Sequence, residues 1–96
     1  FKEARQYLTK ALSLKPSEPA ILDSMGWLDY REGRYEKALD LLQRAHAASP
    51  EGEIAAHLGE VLWVLGRQAE AREIWTAAAM RDPGNKHLLE ALKKLK

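Results

Sequence analysis

The chain contains no cysteine, which excludes disulfides, thiolate metal ligands and a cysteine nucleophile but does not fix a redox compartment. It has only four prolines and six glycines, too few for a low-complexity chain. No apolar run approaches the roughly 20 residues that a membrane-spanning helix needs. An excess of one charge is also missing: 15 Lys and Arg face 14 Asp and Glu, for a net charge of +1. Such a balance gives no strong pull on nucleic acid. Aromatic residues are 7% of the chain, yet the composition is 46% hydrophobic and 30% charged, which is globular rather than disordered. Ninety-six residues make one domain, whose folding buries roughly 60–65% of the unfolded chain's surface, so the core is modest. The opening Phe1-Lys2-Glu3-Ala4-Arg5-Gln6 is amphipathic and does not read as a signal peptide.

What is present is a repeat. Gly26-Trp27-Leu28-Asp29-Tyr30-Arg31-Glu32-Gly33 returns 33 residues later as Gly59-Glu60-Val61-Leu62-Trp63-Val64-Leu65-Gly66. Ala38 and Ala71 keep that register, as do Pro50 and Pro83; Ala4 and Pro16 precede them by 34. A period of 33–34 over the whole chain means stacked supersecondary units. Each period reads as helix, turn, helix. Ile21, Leu22, Met25 and Leu28 make one apolar face over Pro19–Arg31, and Gly33 supplies the stop. Tyr35, Ala38, Leu39, Leu42 and Ala45 line a second helix to Ala48, broken by Ser49-Pro50-Glu51-Gly52. The next helices run from about Glu53 to Leu65 and from Gln68 to Met80. Asp82-Pro83-Gly84-Asn85 then precedes a last helix from His87 with Leu88, Leu89, Leu92 and Leu95 on one side. Nothing alternates with period 2, so no strand is expected. Mid-helix Gly26 and Gly59 cost about 1 kcal/mol each against alanine, and close approach of a partner helix is the usual offset. Ala38 and Ala71 are expected to face them.

These residues resemble the tetratricopeptide repeat. The middle unit reads Leu22, Met25-Gly26, Tyr30, Gly33, Tyr35, Ala38, Leu42, Ala45, Pro50; the next reads Ala55, Leu58-Gly59, Leu62, Gly66, Ala71, Trp75, Ala78, Pro83; the first reads Phe1, Ala4, Leu8, Ala11, Pro16. The pattern covers all 96 residues. It departs from the family at Asp29, a place usually given to an aromatic, and at Ala55, which replaces a bulky residue. The resemblance implies an all-α fold of antiparallel helix pairs stacked as a right-handed solenoid with a C-terminal capping helix. A single domain over 1–96 is expected: the second helix of a truncated repeat at 1–15, full repeats at 19–50 and 52–83, and the capping helix at 86–96. Phe1 stands at the repeat position of Tyr35, so the chain reads as a fragment or as the C-terminal end of a longer repeat protein. Phe1 and Tyr35 are expected to wedge between the helices of their repeats. A helix from Phe1 to Leu14 carries too many apolar residues for one face, and Tyr7, Leu8 and their neighbours are expected to pair two copies.

A narrower resemblance rests on Asp23-Ser24-Met25-Gly26-Trp27, Tyr30-Arg31, Ile54-Ala55-Ala56-His57-Leu58-Gly59-Glu60-Val61-Leu62-Trp63 and Ile74-Trp75. This set looks like the last repeats of proteobacterial tetratricopeptide lipoproteins. It implies a bacterial protein and a periplasmic array; without it the compartment stays open between cytoplasm and periplasm.

No catalytic constellation emerges. His46, His57 and His87 form no i, i+4 zinc pair, and there is no GxGxxG, GKS/GKT or GxSxG. His57 and Glu60 share a helical face, where a surface hydrogen bond is the expectation. The reading is not an enzyme, with no cofactor and no metal. Residues 1–15 and 86–96 each carry +3 around a middle of −5, which offers no continuous basic track for phosphates.

In the family, ligand contacts come mostly from the first helix of each pair, on the concave side. Carried over, the lining is Asp23, Trp27, Tyr30 and Arg31, then Glu53, Ala56, His57, Glu60, Trp63 and Val64, with His87, Glu90 and Lys94 beyond. The partner-binding set expected is Asp23, Trp27, Tyr30, Arg31, His57, Glu60 and Trp63. Trp, Tyr and Arg are enriched at binding hot spots, unless Trp27 and Trp63 are buried between helices; Trp75 sits in the packing slot of Leu8 and Leu42 and is expected in the core. The Lys and Asn positions of the family's carboxylate-clamp subgroup hold Asp23, Trp27 and Glu60 here, which argues against capture of a peptide C-terminus. The expected function is a protein–protein interaction module, a scaffold or adaptor binding a peptide or partner protein. The alternatives are a structural cap of a longer array, or self-association.

Overall fold

The computed structural model describes residues 2–95, and among these every regular element is helical. The Phe1 wedge and the place of Lys96 lie outside the described residues. The elements are α1 (Lys2–Leu14), α2 (Pro19–Arg31), α3 (Tyr35–Ala48), α4 (Gly52–Val64), α5 (Gln68–Arg81) and α6 (Lys86–Leu92), with a 3₁₀ turn at Lys93–Leu95. The chain divides into two compact units, one up to Ser49 and one from Pro50 onward.

The helix ends follow from local chemistry. Pro19 starts α2, where its missing N–H costs nothing. Gly33 at φ 83° and Gly66 at φ 84° end α2 and α4. Each closes the same pair of hydrogen bonds: Gly33 N–H donates to Tyr30 O (3.0 Å) and Arg34 N–H to Asp29 O (2.8 Å), while Gly66 N–H donates to Trp63 O (3.1 Å) and Arg67 N–H to Leu62 O (2.8 Å). This left-handed stop turns the chain back in three residues, so α2–α3 and α4–α5 are antiparallel hairpins. Asn85 caps α6, its Oδ1 accepting from Leu88 N–H at 3.2 Å.

The first unit centres on Leu22, Met25 and Leu28 of α2 against Ala38, Leu39, Leu42 and Ala45 of α3, all buried. The second buries Ile54, Ala55, Leu58, Val61 and Leu62 of α4 against Ala71, Trp75 and Ala78 of α5, and adds Leu88 and Ala91 of α6. Trp75 is completely buried and donates its indole N–H to Ala56 O at 3.2 Å.

The crossings add one feature to the expectation. Ala38 and Ala71 are buried, but the side chains nearest the glycines lie one turn further along. A Cβ on Gly26 would come within 2.8 Å of Leu42 Cγ and 3.3 Å of Leu41 Cβ; a Cβ on Gly59 would overlap the indole of Trp75. Glycine is there to admit a large side chain from the second helix, so the slot opposite holds Leu or Trp. Tyr35 is 37% exposed, and its ring lies 5.5 Å from that of Tyr30 on the other helix of the hairpin.

Candidate functional site

In the first unit the expected ligand residues share α2. Trp27 and Tyr30 are three residues apart, so their side chains neighbour one another on the helix surface. Their rings stack with centroids 4.7 Å apart and planes 20° from parallel, and both are half-buried. Arg31 beside them is exposed. Tyr35 at the start of α3 extends the aromatic row. Asp23, one turn before Trp27, is only 8% exposed. That leaves it little surface for a ligand.

In the second unit His57, Glu60 and Trp63 are half-buried on α4. Trp63 stacks on the buried Trp75 at 5.7 Å and 28°. α6 packs alongside: Lys94 Nζ is 3.7 Å from Glu60 Oε1, His87 Nε2 is 3.7 Å from Glu53 Oε1, and the His57 and His87 rings meet edge-on at 6.2 Å. The terminal-helix residues His87 and Lys94 therefore do join the α4 set. They lie beside its charged groups and remain exposed themselves. Ala56 is buried, and Val64 is exposed at the end of α4.

The ionic centre that sequence reasoning missed is Arg5. Its guanidinium donates from Nη2 to Asp29 Oδ1 at 2.7 Å and to Glu32 Oε1 at 2.8 Å, and Nη1 lies 3.7 Å from Met25 Sδ. Asp29 is 3% exposed. The hydrogen bond to Asp29, then that to Glu32, raises the Arg5 pKa further above its ordinary value. Arg5 Nε is buried with no partner among the described residues. The signal available in sequence was Asp29 itself, a carboxylate at an otherwise apolar or aromatic repeat position.

Among the described residues no group of three His, Asp or Glu is arranged to hold a metal ion, and no helix is long and apolar enough to cross a membrane. The geometry is thus one of helix hairpins presenting aromatic and charged side chains from their first helices. A family model described as "Tetratricopeptide repeat" matches residues 29–95, well over half of the chain. The chain belongs to the tetratricopeptide repeat family. It is similar to the TPR repeat-containing protein PA4667 of Pseudomonas aeruginosa, 50% identical over 60 residues, 62% of this chain and 10% of that protein. Anaphase-promoting complex subunit 7 of Homo sapiens is 28% identical over 94 residues, 98% of this chain and 17% of that protein. Small glutamine-rich tetratricopeptide repeat-containing protein 2 of Mycosarcoma maydis is 29% identical over 84 residues, covering 86% and 24%. The chain spans about a tenth to a quarter of the length of these curated relatives. As a tetratricopeptide repeat chain it is, in general terms, a protein–protein interaction module.

Proposed function

We propose that this chain serves as a scaffold or adaptor that takes a peptide segment or partner protein on the outward face of its first helices, chiefly the Trp27–Tyr30–Arg31 face of α2. The observation that carries the reading is the stacked, half-exposed Trp27–Tyr30 pair beside an exposed arginine. Aromatic rings fixed by stacking offer contact area at low entropic cost, and Arg adds a directional donor; these are the residue types that dominate binding energy. His57, Glu60 and Trp63 of α4 would form a second, separate contact region on the other unit, with Asp23 supporting the first from below. The relatives are consistent with adaptor use: one is by name a subunit of a larger complex. The family is typically non-enzymatic, and the chain is read as a non-enzyme that needs no cofactor.

A second reading has its own observation. α6 anchors on the second unit through buried Leu88 and Ala91 and engages Glu53 and Glu60 from the side. Such a helix serves as a structural cover for α4, and a chain working mainly as a structural element would bind no ligand there.

Peptide-display selection on the immobilised chain separates the two. Binding of an enriched synthetic peptide is then measured to the parent chain and to a Trp27→Ala, Arg31→Glu variant whose helicity is unchanged. The adaptor reading expects at least a tenfold loss of affinity. Equal affinity for parent and variant sinks the α2 assignment, and failure to enrich any peptide favours the structural role.

A further inference from the structure

The aromatic row of the first unit is not something the repeat requires. Trp27, Tyr30, Arg31 and Tyr35 stand in register with Glu60, Trp63, Val64 and Gln68 of the second unit. Of those four only Trp63 carries a ring, and it stacks on the buried Trp75. The first unit has Leu42 in the place of Trp75, with no ring to stack on. Its surface rings meet one another instead, Trp27 on Tyr30 at 4.7 Å and Tyr30 against Tyr35 at 5.5 Å. Trp27 and Tyr30 are half-buried, and Arg31 and Tyr35 are exposed. All four belong to the single hairpin α2–α3.

The chemistry of this face is that of a donor. An indole N–H only donates, a guanidinium carries five N–H donors and no acceptor, and each phenol can donate. Asp23, the carboxylate one turn before Trp27, is 8% exposed and adds little accepting surface. A suited partner therefore presents acceptors and few donors. A partner helix does not, because its backbone carbonyls are already bonded to its own N–H groups. An extended strand brings as many N–H donors as carbonyls and seeks a sheet edge, which the described residues do not form. Proline has no N–H, and a proline-rich segment in the polyproline II conformation keeps its carbonyls out of internal hydrogen bonds. The dimensions agree. Steps of 4.7 and 5.5 Å give a row of at most about 10 Å, close to the ~9 Å in which polyproline II makes one turn of three residues. Both surfaces are ordered before they meet, which lowers the entropy cost of binding. Charge narrows the segment further. Arg31 lies four residues after Trp27, on the same helical face, and is exposed, so an Asp or Glu complements it.

We infer that the segment taken by the α2 face is proline-rich and in the polyproline II conformation, with prolines three residues apart and an Asp or Glu at one end. The inference rests on the reading of that face as a peptide-binding surface and names its peptide. The prolines lie across the Trp27–Tyr30–Tyr35 row, the segment's carbonyls accept from the indole, phenol and guanidinium donors, and its carboxylate pairs with Arg31.

Fluorescein-labelled synthetic peptides test this by anisotropy against the full chain. One consists of Pro-Pro-Ala repeats ending in Glu-Glu, and a second has the same repeats ending in Lys-Lys. The third is an alanine-rich helical peptide with the length and charge of the first. The Glu-ended proline peptide is expected to bind roughly tenfold more tightly than either of the others. Tyr35→Ala, with helicity unchanged, is expected to weaken it roughly fivefold. Arg31→Glu is expected to reverse the preference toward the Lys-ended peptide, a gain that misfolding cannot imitate. Equal or tighter binding of the helical peptide overturns the inference, as does full affinity in Tyr35→Ala or an unreversed preference in Arg31→Glu. A Trp27→Ala chain separates the two levels of the argument. If peptides selected by display need Trp27 but carry no prolines three residues apart, the proline-rich class is overturned and the α2 face stands. If no peptide of any class needs Trp27, the face itself falls and the inference with it.

Discussion

The two hairpins, α2–α3 and α4–α5, are one design executed with different residues. Thirty-three residues apart, Gly26 and Gly59 open the crossing, Ala38 and Ala71 line it, and Gly33 and Gly66 turn the chain. Where the hairpins diverge, they diverge in what each glycine admits. Gly26 faces Cγ of the fully buried Leu42, at 2.8 Å from a would-be Cβ; Gly59 faces the flat indole of Trp75, which overlaps a would-be Cβ more deeply and is pinned by its hydrogen bond to Ala56 O. A shared backbone solution thus carries unequal tolerance. Gly59→Ala is expected to destabilise by about 2–3 kcal/mol through overpacking. Gly26→Ala is expected to cost less, because the overlap with Leu42 is shallower and alanine offsets it with about 1 kcal/mol of helix propensity. Denaturant unfolding of both variants checks this, and equal losses would show that the two crossings are equally rigid.

The next difference lies at Asp29, whose repeat partner is Leu62. The second unit buries an apolar residue at this position; the first buries a carboxylate and neutralises it with Arg5. Arg5→Ala strands that carboxylate and is expected to cost about 1–2 kcal/mol. Replacing both partners, Arg5→Leu with Asp29→Leu, imports the apolar solution and is expected to be neutral or stabilising, since desolvating an ion pair offsets most of its attraction. A double-mutant cycle in urea decides it. If the double variant is as unstable as Arg5→Ala, Glu32 or Met25 holds the arginine instead.

These contrasts show what a sequence can disclose. The 33-residue period, the helix hairpins and their glycine stops are local patterns, written in residues a few positions apart, and the elements stand where periodicity places them. The all-α tetratricopeptide class followed from the same residues. The Arg5–Asp29 contact joins residues 24 apart across two helices, and no local spacing announces it. The expectation placed Ala38 and Ala71 at the crossings but not Leu42 and Trp75, whose side chains come nearest the glycines, because periodicity gives a face but not the height at which two helices cross. For the same reason the expectation that Trp75 is core was sound, while the half-burial of Trp27 and Trp63 depends on neighbours that the repeat pattern does not fix.

The smallest difference sits at the start of the second helices. Arg67 Nε and Nη2 both donate to Glu70, at 2.9 Å each, and this holds the Glu70 pKa below its ordinary value. The equivalent residues of the first hairpin are Arg34 and Lys37, two like charges, and Arg34 instead lies 3.8 Å from Glu32. A carboxylate whose folded pKa is lowered stabilises fully above its unfolded pKa and loses that contribution as pH falls through the folded value. Glu70→Lys gives α5 the charges that begin α3. It is expected to lower the melting temperature slightly at pH 7, because the pair is solvent-exposed and screened. The deficit should shrink as the parent's Glu70 is protonated below its lowered pKa, and added salt should shrink it at neutral pH as well. A deficit that persists unchanged in acid would assign the effect to the first turn of α5 itself, where lysine opposes the helix dipole whatever the state of Arg67.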